Sequence, residues 1–327
     1  MKIIDKLNEK NSDELTYSIE FFPPKTYQGI ENLKDRADRM FTSTNPMFVD
    51  LTWGAGGSTS ETTLDLSIFW QTKKNYDVNM HLTCTNMPLE KINDTLDQAI
   101  KNGITNIVAL RGDPPIGEEK WSANQAGFTC ALDLVKHIRV KYNDQFCLSV
   151  AGYPEGHPDQ IEEIPKNKIK QLSPTELARM SERDGKVFVC SDKKYWDDLH
   201  YLKQKVDAGA DIIITQLFYD IHLFTQFIED CKSIGINCPI LPGIMLIQSY
   251  DGFIKMTKFC KTKVPIKLIN DLLIVKDDQE AFFNKGVEIV VDMCRDLSKY
   301  VNVNHFHFYL LNKEKMANSI INKILTF

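Results

Sequence analysis

Short runs of β-branched and aromatic residues alternate along the chain with longer amphipathic segments. The runs predict eight strands, at residues 17–22, 48–53, 78–84, 106–113, 146–154, 211–218, 239–245 and 305–311. Runs such as IVAL and IIIT are almost continuously apolar, which is typical of parallel strands buried on both faces. The intervening segments keep apolar residues on one helical stripe, as at Ile30, Leu33, Ala37 and Met40.

Eight strands in strict alternation with helices predict an α/β fold, a (β/α)₈ TIM barrel, as a single domain over residues 1–327. An open doubly wound sheet has the same strand count. However, no G-x-G-x-x-G follows the first strand, where a dinucleotide-binding fold would carry it. The pattern therefore favours the closed barrel.

Two intervals interrupt the alternation. Residues 159–195 are charge-rich and poor in periodic apolar positions. They predict a mobile surface insertion with one short helix at 173–182, and a functional lid is the alternative. Residues 263–280 predict an extra helical turn and a loop.

Composition narrows the function classes. A formal net charge of -5 over 327 residues gives no basic excess, so we expect no nucleic-acid partner. No run of eighteen apolar residues occurs and no secretory signal opens the chain, so we expect neither a membrane partner nor export. Eight cysteines without a C-x-x-C pair indicate reduced thiols and a cytoplasmic location. The sequence leaves open whether the protein forms a homo-oligomer.

Polar residues stand at the predicted carboxyl ends of the strands, where barrel enzymes place their chemistry. They are Glu20, the segment TWGAGG at 52–57, His81, Thr83, RGDPP at 111–115, GYPEGH at 152–157, Thr215, Gln216, His305, His307 and Tyr309. The role of Glu20 has two interpretations. It either pairs with an arginine to hold the barrel together, or it is a general acid whose ionised form burial disfavours.

Several familiar motifs fail on inspection. The segment GDPPIG at 112–117 has the glycine spacing of a phosphate loop, but Glu118 stands where lysine is required. His305 and His307 share one face of a strand and could be metal ligands. Without a matching cluster we expect them to be core or pocket histidines, and we predict no metal.

Taken in order, the strand-end segments resemble the catalytic domain of the methylenetetrahydrofolate reductase family, in its eukaryotic version. The resemblance runs from about residue 15 to the end of the chain. It rests on the segments SIEFFPPKT, FVDLTWGAGG, HLTCTNMP, NIVALRGDPP, VAGYPEGHP, LKQKVDAGADIIITQLFYD, LPGIM and FHFYLLNK.

The resemblance implies a barrel that holds non-covalent FAD and serves one-carbon and methionine metabolism. NADPH or NADH would reduce the flavin and leave. Methylenetetrahydrofolate would then enter the same pocket and be reduced to 5-methyltetrahydrofolate in a ping-pong mechanism. Because donor and acceptor share one pocket, no separate nucleotide-binding domain is needed.

The resemblance also implies site residues. Glu20 matches the catalytic acid, and Asp113 matches an aspartate that stabilises the folate cation beside the flavin. Gln216, Tyr309 and Lys313 fall with them on substrate-contacting positions. The flavin-contacting positions are Thr52, Trp53, Ala55, His81, Arg111, Gly112, Asp113, Ala131, Tyr153, His157, Asp198 and Lys205. The 159–195 insertion falls between two of them and is expected to cover the adenosine end of FAD.

The chain also departs from the family pattern. It reads FHFYLLNK where the family often has FHFYTLNR, so Leu310 and Lys313 differ, and Leu246 stands where proline is common. Lysine does not reproduce the bidentate fork of arginine. Many eukaryotic members continue into a regulatory domain that binds S-adenosylmethionine, and we expect residues 1–327 to hold the barrel without it. The alternatives are another flavin barrel oxidoreductase, similar to proline dehydrogenase, and a barrel that serves only binding or assembly.

Overall fold

The computed structural model describes residues 1–11, 13–54, 59–84, 87–112 and 127–326. Twelve strands form two sheets within these residues. In chain order they are β1 (Thr16–Phe21), β2 (Phe48–Leu51), β3 (Val78–Thr83), β4 (Asn106–Leu110), β5 (Cys147–Gly152), β6 (Glu162–Ile164), β7 (Ser181–Arg183), β8 (Lys186–Val189), β9 (Ile212–Thr215), β10 (Ile240–Leu241), β11 (Gly243–Met245) and β12 (His305–Tyr309).

The larger sheet is a closed parallel barrel. Its order is β10-β9-β5-β4-β3-β2-β1-β12-β11, so β10 pairs with β9 at one end and β11 pairs with β12 at the other. Only Pro242 separates β10 from β11, and its carbonyl oxygen accepts a hydrogen bond from the His307 backbone N–H at 3.0 Å. The two short strands therefore fill one position, and eight positions close the predicted (β/α)₈ barrel.

The predicted strands extend too far at their carboxyl ends. The observed strands stop at Leu51, Leu110, Gly152 and Thr215, two or more residues before the predicted ends. Residues just beyond these points belong to loops that line the cavity described below: Thr52, Trp53, Arg111, Gly112, Tyr153, Gln216 and Leu217.

Helices cover the outside of the barrel. They are α1 (Ile3–Glu9), α2 (Tyr27–Thr44), α3 (Ser60–Phe69), α4 (Leu89–Lys101), α5 (Ala131–Tyr142), α6 (Pro174–Arg179), α7 (Asp192–Asp207), α8 (Ile221–Ser233), α9 (Tyr250–Phe259), α10 (Ile266–Ile274), α11 (Gln279–Val301) and α12 (Glu314–Ile324). The predicted stripe on α2 is buried at Leu33, Ala37 and Met40. Across the described part of the chain, none of the helices is both long enough and apolar enough to cross a membrane.

The amino-terminal helix α1 closes the end of the barrel opposite the site. Ile3 is fully buried against Phe48, Val108 and neighbouring apolar side chains of the strands. Its backbone N–H donates to Asn106 Oδ1 at 2.7 Å, which satisfies a donor at the start of the helix. Ile3 thereby packs against the base of the strands, and the cavity described below lies at the other end of the barrel.

The insertion differs from its prediction. Residues 162–189 form a three-stranded antiparallel sheet in the order β6-β8-β7, with α6 as the short helix. Arg179 is buried, its guanidinium lies 4.3 Å over the Tyr195 ring, and it pairs with Asp192 at the start of α7. The sheet was not predicted, because its strands of three or four residues carry little apolar periodicity, and the mobility of the insertion stays a prediction. Residues 263–280 likewise hold a nine-residue helix, α10, rather than a single turn.

Candidate active site

A cavity of about 390 Å³ opens at the carboxyl ends of the barrel strands. Parallel strands all point their carboxyl ends to this face, so residues far apart in sequence meet there. The predicted positions that line it are Glu20, Thr52, Trp53, His81, Arg111, Gly112, Tyr153, His157, Gln216 and Tyr309. Met245, Met256 and Phe259 supply apolar wall that the sequence did not predict.

Glu20 lies at the end of β1 with only 6% of its surface exposed. Its Oε2 is 3.5 Å from His81 Nε2 and 3.6 Å from His307 Nε2. Among the residues that the structure describes, the ion-pair partners of Glu20 are these two imidazoles. The pairing with an arginine, the first of the two interpretations, is not seen there. A buried carboxyl beside imidazoles is suited to hold and release a proton.

Asp50 is a second buried carboxyl at the site, and the sequence reading missed it. It lies on β2, and its Oδ2 is 3.1 Å from His81 Nε2 and 3.2 Å from Asn79 Nδ2. Burial by itself would lower the pKa of His81, but the Asp50 hydrogen bond and the charges of Glu20 and Asp50 together raise it. The signal was available, because FVDL, like SIEF, places one carboxylate in an apolar strand.

Glu20, Asp50 and His81 also meet the spacing for a metal site. One ligand atom from each lies within 4.8 Å of the others, a grouping that the sequence reading did not foresee. Because His81 and Asp50 share a hydrogen bond, the same three side chains can also act as a group that shares a proton.

His305 and His307 lie inside the barrel, two residues apart on the same face of β12. Ser18 Oγ lies between them, 3.0 Å from His305 Nε2 and 2.8 Å from His307 Nδ1. Thr16 Oγ1 is 2.8 Å from His305 Nδ1. Burial first, then the neighbouring His307, lowers the pKa of His305 well below its ordinary value. These are core and pocket histidines, as expected.

A second cavity of about 430 Å³ adjoins the first. Both are lined by Leu110, Arg111, Ala151, Tyr153 and His157. The predicted positions Ala131, Asp198 and Lys205 line the second, together with Asp159 and Gln160 at the start of the insertion. The two cavities thus form a two-lobed cleft, each lobe within the roughly 300–1,000 Å³ typical of ligand sites.

The second lobe is lined by a buried lysine close to the carboxylate of Asp198. Lys205 is buried on α7 and donates from Nζ to the Ala151 carbonyl at 2.8 Å. Burial lowers the pKa of Lys205 to about 8, so it is mostly a cation at neutral pH. Asp198 accepts from the His157 backbone N–H at 2.7 Å, and burial lowers the pKa of the His157 ring to about 4. Arg111, which bonds Asp159 at 3.0 Å, adds a second cation at the junction of the lobes.

The first lobe offers polar groups suited to a flat heteroaromatic ring. Thr52 Oγ1, Trp53 Nε1 and Thr83 Oγ1 are buried and lack a hydrogen-bond partner within the described residues. Buried polar groups are normally paired, so these three point to a bound polar ligand. Gly112, at φ +90°, adopts a conformation that favours glycine at the cavity edge. An elongated ligand with a flat polar ring fits this donor set and the two adjoining lobes.

The predicted substrate positions separate into two groups. Tyr309 lines the cavity, and its hydroxyl donates to the Thr215 carbonyl at 2.6 Å. Gln216 also lines it, and its Oε1 accepts from the Leu217 backbone N–H at 2.9 Å. Lys313 instead is exposed at the start of α12, away from the cavity lining. Ala55 and Asp113 lie outside the described residues.

The fold and the cleft define a class: a (β/α)₈ barrel with a buried carboxyl and a two-lobed ligand site at the carboxyl end of its strands. The family model "Methylenetetrahydrofolate reductase" matches residues 4–325. The chain belongs to the methylenetetrahydrofolate reductase family.

Individual relatives agree with this placement. Methylenetetrahydrofolate reductase (NADH) 1 of Arabidopsis thaliana is 47% identical over 322 residues, covering 98% of this chain and 50% of that protein. Methylenetetrahydrofolate reductase 2 of Saccharomyces cerevisiae is 40% identical over 327 residues, covering 99% and 50%. The 5,10-methylenetetrahydrofolate reductase of Escherichia coli is 30% identical over 319 residues, covering 97% and 94%. The chain thus spans about half the length of the plant and yeast proteins.

A solved structure shares the fold. It is an uncharacterized protein from Clostridium thermocellum that binds two copies of 5-methyl-5,6,7,8-tetrahydrofolic acid. The TM-score is 0.60 at 13% identity, over 99% of this chain and 98% of that one. At this identity the similarity shows the barrel architecture alone.

Proposed function

We propose that this chain is a catalytic barrel that reduces 5,10-methylenetetrahydrofolate to 5-methyltetrahydrofolate, with FAD as cofactor and NADH as electron donor. The observation that carries the proposal is the position of Glu20, a buried carboxyl that lines the first lobe of a cleft shaped for an elongated cofactor. Family membership supports the reaction, and the Arabidopsis relative's name supports NADH rather than NADPH.

Each lobe has a separate task in this proposal. When bound, FAD would supply the hydride chemistry. Thr52, Trp53 and Thr83 would hold its ring system through their unpaired polar atoms, and Lys205 would hold its phosphates. His81, Arg111, Gly112, Tyr153, His157, Ala131 and Asp198 would complete the cofactor site, with Ala55 and Asp113 on the segments outside the described residues.

Glu20 would give its proton to the bridging nitrogen of the folate five-membered ring. That nitrogen's bond to the methylene carbon then breaks, and the carbon becomes an electrophilic iminium ready for hydride. Gln216 and Tyr309 line the same lobe and would orient the pterin, while Asp113 would stabilise the cation. Lys313 is exposed outside the cavity lining and would contact only the folate tail.

The test follows the two half-reactions separately. Purified protein with FAD is reduced anaerobically by NADH, in parallel with NADPH, and then mixed with methylenetetrahydrofolate. We expect faster flavin reduction by NADH, then reoxidation with methyltetrahydrofolate as the product. Reoxidation by a quinone such as menadione but not by the folate would favour another flavin oxidoreductase. Protein that binds no FAD on reconstitution would favour a binding or assembly role.

A further inference from the structure

Four titratable side chains converge beneath the first lobe, and two of them, Asp50 and His307, have no role in the proposed reaction. Glu20, Asp50, His81 and His307 come from β1, β2, β3 and β12. Glu20 is the proposed acid, and His81 lines the cofactor lobe. Asp50 is fully buried, and its Oδ1 has no hydrogen-bond partner in the described chain. The presence of this carboxylate in the barrel interior therefore needs an explanation.

Asp50 competes with Glu20 for one nitrogen atom. His81 Nε2 lies 3.1 Å from Asp50 Oδ2 and 3.5 Å from Glu20 Oε2. A single N–H makes its strong hydrogen bond to the nearer carboxylate, because hydrogen bonds weaken steeply with distance. His81 is therefore turned to Asp50, and Glu20 is left without its closest charged donor.

The other groups that face Asp50 do little to neutralise it. From β12, His307 Nε2 is 3.9 Å away, and Tyr309 is a buried phenol whose pKa is raised well above its usual value, by burial first and then by the charges of Glu20 and Asp50. From β3, Asn79 is a neutral donor at 3.2 Å. Within the described residues, no lysine or arginine forms an ion pair with Asp50. Its negative charge therefore acts on Glu20.

We infer that Asp50 is a positioning residue that holds the His81 N–H away from Glu20, so that the Glu20 carboxyl is left to face the folate. The inference rests on the proposed function, because it serves the proton transfer which that function requires. In each turnover the Glu20 proton moves to the folate nitrogen, the nitrogen–carbon bond breaks, and the carbon gains the hydride that originates from NADH. Glu20 then regains one proton from solvent.

The test is the pH profile of the two half-reactions in Asp50→Asn. This change preserves shape and removes the charge, so the His81 N–H becomes free to turn to Glu20. In stopped-flow measurements with methylenetetrahydrofolate, we expect the midpoint of the high-pH loss of flavin reoxidation to move down by about one pH unit. Reoxidation above that midpoint would be about tenfold slower, with the low-pH rate retained. Flavin reduction by NADH, which takes no proton from Glu20, should keep its pH profile.

Two further variants make the test decisive. Asp50→Ser removes the same charge with a smaller side chain and should shift the profile in the same direction, even if Asp50→Asn folds poorly. Ser149→Ala is the matched control, because Ser149 is buried in the same layer, 3.5 Å from Asn79 Nδ2, but bears no charge. It should keep the unmodified profile.

The failures of the inference and of the proposed function are distinguishable. An unshifted midpoint in both Asp50 variants overturns the inference, as does a folate half-reaction of the unmodified protein that is independent of pH. Equal loss in both half-reactions, with FAD still bound, also overturns it, because Asp50 would then be only structural. If the unmodified protein is reduced by NADH but never reoxidised by the folate, the proposed function itself fails.

Discussion

The hydroxyl of Tyr309 donates a hydrogen bond to the carbonyl oxygen of Thr215, 2.6 Å away. The bond joins β12 to β9 across the strand position that lies between them. It is possible because Gly243 occupies that position. A Cβ on Gly243 would lie 2.1 Å from the Thr215 oxygen and 2.5 Å from the Tyr309 hydroxyl oxygen.

Gly243→Ala should therefore destabilise the protein, since backbone on one side leaves the methyl group no room. We expect a loss of roughly 1–3 kcal/mol, as for other overpacked interiors, measured by thermal unfolding. Tyr309→Phe, which removes only the hydrogen bond, should lose about 0.5–1.5 kcal/mol. A Gly243→Ala protein as stable as the unmodified one would show that this approach is not as tight as described.

Glu20→Gln should separate the half-reactions. The amide keeps the size of the side chain but has no acidic proton, so flavin reduction by NADH should persist. Reoxidation by methylenetetrahydrofolate should slow by at least about a hundredfold, the usual contribution of a general acid. Stopped-flow absorbance of the flavin follows both steps. Equal loss of both, with FAD bound, would remove Glu20 from the acid role.

Lys205→Met should change stability and cofactor binding in opposite directions. Burial lowers the pKa of Lys205 from 10.5 to about 8, so below pH 8 the folded apoprotein bears the cost of a buried cation. That cost is relieved as pH rises from about 8 toward 10.5. We therefore expect the apo variant to unfold at a higher temperature at pH 7, with the difference shrinking above pH 8.

The same variant should bind FAD at least about tenfold more weakly, because a charge-assisted hydrogen bond to phosphate is lost. Fluorescence titration of the apoprotein with FAD measures this. Lys193→Met, at an exposed position on the same helix, is the control and should alter neither property. Unchanged FAD affinity in Lys205→Met would place the phosphates elsewhere.

Burial of Glu155 predicts a change of stability with pH in the opposite direction. Burial raises the pKa of Glu155 from 4.5 to about 8, and its Oε2 accepts from the Lys263 backbone N–H at 2.6 Å. The folded state thus keeps a proton that the unfolded chain releases above pH 4.5. The stability that this group contributes is full below pH 4.5 and is lost as pH rises to about 8.

Glu155→Gln, which stays neutral and retains an acceptor, should remove that decline. The variant should match the unmodified protein near pH 4.5 and exceed it by at least about 1 kcal/mol at pH 8. Melting temperature as a function of pH gives the comparison, with Glu163→Gln at an exposed insertion position as the control. Parallel profiles for Glu155→Gln and the unmodified protein would contradict the assigned burial cause.

The barrel and much of the site could be predicted from the sequence, because both depend on residue patterns within single segments of the chain. Strand and helix periodicity follows from side-chain burial along each element, and parallel strands must bring their carboxyl ends to one face. That reasoning predicts Glu20 at the ligand-binding face, where it lines the cavity. The family motifs then supplied candidate roles for residues at the other strand ends.

Contacts between distant segments had to come from the tertiary structure. Asp50 looked like one more residue of an apolar strand until β3 placed His81 Nε2 3.1 Å from its carboxylate. The insertion lacked apolar periodicity, yet a small sheet and the buried Arg179 fix it against α7. Lys313 matches a substrate position in sequence but lies exposed. The sequence alone determined the alternating order of the barrel strands and helices. Only packing decided where the strands end and which charges meet, because electrostatic pairing depends on distances that no single element contains.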